Sequence, residues 1–124
     1  MKKVFSTEKA PAAIGPYSQC VVANGFVFTA GQLPLDAATG EIPEDIAAQT
    51  EISLKNVAAI LEAAGSSLDK AVKITVFVRD MNDFNKINEV YKTFFLENPP
   101  ARSLIQAARL PKDVGIEIEC VAVL

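Results

Sequence analysis

The period of the apolar residues changes twice between Glu44 and Phe95, and this limits what the chain can fold into. From Glu44 to Ala64, apolar or small residues fall at Ile46, Ala47, Thr50, Leu54, Val57, Ala58 and Leu61, the three-and-four spacing of an amphipathic helix. Acids at Glu44 and Asp45 suit its N-terminal end, and Gly65 suits the left-handed residue that follows a helix. Between Ala71 and Arg79 the period shortens to two: Val72, Ile74, Val76 and Val78 share one face, and Lys73, Thr75, Phe77 and Arg79 the other, so this run is a strand. The longer period returns from Phe84 to Phe95, with a stripe of Phe84, Ile87, Tyr91 and Phe94 or Phe95, a cap at Asn82 or Asp83, and a stop at Pro99-Pro100. A strand set between two such helices predicts right-handed crossovers, a partly parallel sheet, and both helices on one face.

The remaining strands flank this unit. Tyr17–Val22 and Phe26–Ala30 read as a hairpin, because Asn24-Gly25 supplies the positive φ angles of a type I′ turn. A loop follows from Gly31 to Gly40, with a turn at Thr39-Gly40. Ser103–Ala108 and Gly115–Leu124 are two further strands, joined through Leu110-Pro111-Lys112-Asp113, and Lys3–Phe5 allows one more short strand. The order is ββαβαββ, an α+β class with a mixed sheet, and residues 1–124 form one domain. In the last strand, Ile116, Ile118, Cys120 and Ala122 oppose Glu117, Glu119, Val121 and Val123, so neither face is wholly polar. A sheet covered by helices on one side only must bury its second apolar face against further copies, which predicts a homo-oligomer with sites where subunits meet.

Several chemistries are disfavoured at once. A net charge of −3 and a pI near 4.9 lack the basic field that draws nucleic acid. The chain has no histidine, which removes Ser-His-Asp and Cys-His nucleophile systems and most catalytic zinc sites. Cys20 and Cys120 lie in strands without metal-like spacing and read as reduced, buried residues. No apolar run is long enough to span a bilayer and no signal-like segment opens the chain, so the expected location is cytoplasmic.

The candidate chemistry falls on a few polar residues near strand ends. Arg102 follows Pro99-Pro100, which restrict the backbone before it and place a guanidinium at the mouth of a strand, where it can grip a carboxylate with two parallel hydrogen bonds. Glu117 and Glu119 share one strand face, and the sequential adjacency of their strand to that of Arg102 puts one of them near the guanidinium. A carboxylate there can deprotonate water or return a proton to a departing amine. Tyr17, after Gly15-Pro16, either packs its ring in a turn or closes a pocket; Asn88 is a helix amide that serves the surface or a ligand; Gly31 admits close backbone approach. Solvated side chains are the plainer reading of each residue taken alone.

Taken together, the stretches APAAIGPYSQ (residues 10–19), FTAGQLP (28–34), INEVYKTFF (87–95) and PPARSLIQAARLPKDVGIEIECVAV (99–123) resemble the RidA/YjgF/YER057c/UK114 family, collinearly and over essentially the whole chain. The resemblance implies a chorismate-mutase-like fold, a homotrimer with clefts between subunits, and 2-iminobutanoate/2-iminopropanoate deaminase activity without a cofactor or metal. It implies Arg102 as carboxylate anchor and Glu117 as the water-orienting acid, with Tyr17, Gly31, Asn88 and the backbone at Leu104 lining the pocket. The ligand is then a small 2-imino or 2-oxo acid. The chain has Leu104 where many members carry cysteine, and Ala30 where many carry serine, so a thiol and a hydroxyl are absent from the expected pocket. The alternatives are a trimer that binds small carboxylates without catalysis and, less favoured, an endoribonuclease or translation inhibitor.

Overall fold

A computed structural model describes all of residues 1–124. Six strands, β1 (Lys3–Phe5), β2 (Cys20–Ala23), β3 (Phe26–Thr29), β4 (Ala71–Val78), β5 (Ala101–Gln106) and β6 (Ile116–Val123), form one sheet in the order β1-β2-β3-β6-β4-β5. Two helices, α1 (Ile46–Ala63) and α2 (Phe84–Phe94), pack against each other and against one face of it. β4 and β5 are parallel and all other neighbours antiparallel, so the sheet is mixed, as the periodicity predicts.

Local chemistry explains most boundaries. Asn24 and Gly25 take φ of 53° and 81°, as a type I′ turn demands. Asp45 caps α1 by accepting from the Ala48 N–H at 3.0 Å. At the other end Gly65 has φ 89°, the Gly65 N–H bonds Glu62 O, and the Ser66 N–H bonds Leu61 O, which is the paired closure of a Schellman motif. α2 is entered through a 3₁₀ turn at Met81–Asp83, and the capping side chain is Asp80, which accepts from the Asn82 N–H; neither Asn82 nor Asp83 caps with its side chain.

Three sequence expectations shift. The strand expected at Ser103–Ala108 begins at Ala101, so Arg102 lies inside β5 rather than at its mouth. Tyr17 and Gln19 lie before β2, on a loop. Val72 is exposed although the alternation assigns it to the buried face, because the β4–β6 register slips between Ala71 and Lys73 and pushes Val72 out as a bulge. The rest of the alternation holds: Ile74, Val76, Val78, Ile116 and Ile118 are fully buried under the helices.

The core under α1 and α2 also takes Leu54, Val57, Ile60, Leu61 and Ile87. The other sheet face has no cover within the chain, and Phe26, Phe28 and Ile105 stand on it 40%, 45% and 48% exposed. Both cysteines are free and buried, and no helix is long and apolar enough to cross a membrane.

Candidate functional site

The first group of candidates gathers on the uncovered face. Beyond β3, Gln32 resumes pairing with Ile118 of β6, one residue out of step with the β3–β6 register. The slip brings Gly31 beside Glu117, so close that a Cβ on Gly31 would stand 2.5 Å from Glu117 Oε2 and 2.8 Å from its Cδ. Gly31 and Glu117 line a concavity of about 500 Å³ together with Tyr17, Ala30, Leu33 and Lys112. Burial pushes the Glu117 carboxyl above its ordinary value, and the Glu119 carboxylate pushes it further the same way. A carboxylate with a raised pKa is a stronger base than a free one, better suited to take a proton from water. A larger hollow of about 720 Å³ adjoins it, sharing Tyr17 and holding none of the other candidates.

Buried amides hold the loops of this concavity. The Gln19 side chain accepts from the Thr7 N–H at 2.8 Å and donates to the carbonyls of Thr7 at 3.1 Å, Ala10 at 3.4 Å and Pro11 at 2.7 Å. That fixes the segment leading to Tyr17, whose ring is 54% exposed and whose hydroxyl oxygen accepts from the Ile14 N–H at 3.4 Å. From α1, Asn56 donates to the carbonyls of Leu33 and Leu35, tying down the loop after Gly31. Sequence reasoning missed Gln19 and Asn56 as site builders. Asn56 falls outside the apolar stripe of α1 and Gln19 lies on a loop, so neither carried a local signal.

The second group lies on the helix-covered face. Arg102 pairs with Ile74 across β4–β5 and Leu104 with Val76, so both side chains point toward the helices. The Arg102 Nη1 donates to Asn88 Oδ1 of α2 at 2.7 Å. Its guanidinium carbon sits 4.6 Å from the centre of the Tyr91 ring and 5.8 Å from that of Phe84. Leu104 packs against the core beside them.

One chain does not bring these groups together. β4 stands between β5 and β6, so the sequential strands of Arg102 and Glu117 are not neighbours, and the expectation of proximity from chain order fails. Through the registers Ile74↔Arg102, Ile74↔Cys120 and Phe77↔Glu117, the two positions lie two strands and three residues apart, about 14 Å by strand geometry. They also point to opposite faces. Each chain therefore carries two candidate half-sites: one around the Arg102 guanidinium on α2 and β5, and an acidic one between β6 and the loops before β2 and after β3.

The sequence pattern of the Endoribonuclease L-PSP family matches residues 7–124. A RutC family protein of Haemophilus influenzae is 55% identical over 127 residues, covering 99% of this chain and 98% of its own. The 2-iminobutanoate/2-iminopropanoate deaminase of Escherichia coli is 54% identical over 126 residues, covering 99% and 98%. In three dimensions, the crystal structure of E. coli TdcF with bound serine superposes with a TM-score of 0.95 at 53% identity, covering 98% of each chain.

Proposed function

The chain belongs to the Endoribonuclease L-PSP family, the RidA/YjgF group, and from that premise we propose that it hydrolyses small 2-imino acids to 2-oxo acids and ammonia. The observation that carries the chemistry is its 54% identity, end to end, with a protein named 2-iminobutanoate/2-iminopropanoate deaminase. Residues 1–124 act as one domain, and the working unit is a homotrimer in which Arg102 of one subunit faces Glu117 of the partner subunit across a shared cleft. The separation of the two half-sites within a chain supports this reading, because a small imino acid cannot span them.

In the proposed reaction Arg102 holds the substrate carboxylate, and Tyr17 and the backbone at Gly31 and Leu104 bound the pocket. Glu117 takes a proton from water as its oxygen adds to C2 of the protonated imine, giving a carbinolamine. The same carboxyl returns that proton to the amino nitrogen, the C–N bond breaks, and the hydroxyl proton leaves with ammonia as ammonium. Such imines already hydrolyse in water, so orientation and one positioned proton carrier suffice, and no step calls for a cofactor.

The test generates the imine from an amino acid with an oxidase and follows its loss. Wild type should exceed the buffer rate, and Arg102→Ala should lose at least about a hundredfold in kcat/KM, the lower bound for two charge-assisted hydrogen bonds. Glu117 acts as a base, so the rate should fall as pH drops through its raised pKa, above the ordinary value near 4.3. Equal rates for wild type, Arg102→Ala and buffer would sink the deaminase reading. Binding of a 2-oxo acid surviving that result favours the carrier of small carboxylates, which Leu104 and Ala30 in place of a thiol and a hydroxyl make the second reading.

A further inference from the structure

Three residues of α2 at helical spacing, Phe84, Asn88 and Tyr91, all address the one side chain of Arg102. None carries a charge. Asn88 offers a carbonyl oxygen at 2.7 Å, and the two rings offer π faces at 4.6 Å and 5.8 Å from the guanidinium carbon. The three ion pairs of the chain, Lys55–Glu51, Lys92–Glu89 and Arg109–Asp113, are all exposed, and Arg102 enters none of them. A half-buried arginine is most often held by a carboxylate, which neutralises it. Here the amide takes one edge of the fork and the rings take its plane, leaving further N–H donors free.

Tyr91 is more than a core aromatic in this arrangement. Its ring is 7% exposed and packs against Phe95 at 4.7 Å between centres, yet its hydroxyl has no hydrogen-bond partner in the chain. Burial pushes the phenol up to about 12, against the opposing pull of Arg102, so the ring stays neutral at any working pH.

We propose that Phe84, Asn88 and Tyr91 form an uncharged cradle that aims the Arg102 guanidinium without neutralising it, so that the cation is reserved for the carboxylate of the ligand. Tyr91 is a positioning residue: it acts on the ligand only through Arg102. This rests on the role given to Arg102 above.

The test measures KM for 2-iminobutanoate, Kd for the carboxylate probe 2-oxobutanoate, and melting temperature, with Arg102→Ala beside two cradle variants. Tyr91→Leu removes the π face and should raise KM and Kd about tenfold, more than it lowers kcat. Asn88→Asp puts a carboxylate against Nη1, and should weaken both constants by at least about tenfold while the melting temperature holds or rises. Wild-type KM and Kd in Asn88→Asp overturn the cradle, and that variant decides if Tyr91→Leu fails to fold. A dead Arg102→Ala beside wild-type cradle variants removes the cradle and leaves the deaminase reading standing; an active Arg102→Ala removes the deaminase reading itself.

Discussion

Gly31 has an ordinary backbone conformation, so what it supplies is room: its missing Cβ is the space the Glu117 carboxylate occupies. Gly31→Ala should therefore leave the fold intact and drive the flexible carboxylate aside by about 1 Å, costing on the order of a hundredfold in kcat. An unchanged kcat in a folded variant would show that the carboxylate position is unimportant. Arg102 and Glu117 were legible as residue types, because a guanidinium after two prolines and paired acids on one strand face stand out in a chain without histidine. The partners of each were not. Asn88 read as a surface or pocket amide and Tyr91 as a helix-stripe aromatic, neither with Arg102 as its partner until β5 put it beneath them, and Gly31 meets Glu117 only through a one-residue slip that no local pattern signals.

At the scale of elements, the apolar period placed both helices and the central strand, and the errors fell where tertiary contacts override it. Ala101 and Arg102 join β5 because β4 pairs with them at Lys73 and Ile74, although the two prolines before them suggest a later start. Val72 leaves the buried face for a bulge. The loop before β2 owes its shape to a single amide, since Gln19 bonds Thr7, Ala10 and Pro11 at once. Gln19→Leu leaves that N–H and those carbonyls without their protein partner, at a cost of about 2 kcal/mol. Denaturant unfolding should show the loss, and limited proteolysis should cut residues 7–14 faster than in wild type. Cleavage there at the wild-type rate would mean that other contacts hold the loop.

For the whole molecule, the decisive features are an uncovered sheet face bearing Phe26, Phe28, Phe77, Ile105, Val121 and Val123, and candidate site residues divided between two faces. The solution mass should be that of three chains at micromolar concentration. Mixing tests the split directly. Arg102→Ala and Glu117→Gln chains, each inactive alone, should regain activity when co-refolded, because a mixed ring contains one junction with both residues intact. Random assembly of equal amounts into cyclic trimers predicts roughly a quarter of the wild-type rate. No recovery in mixed oligomers of confirmed composition would place the whole site within one chain.

From sequence alone come the elements, the mixed sheet with helices on one side, and the candidate polar side chains. Those follow from periodicity, turn chemistry and residue type, which are local or nearly so. Which of those side chains lie together is set by non-local strand pairing. Strand order inserts β4 between β5 and β6, and alternation then sends Arg102 and Glu117 to opposite faces, a consequence of non-local pairing that chain order does not contain.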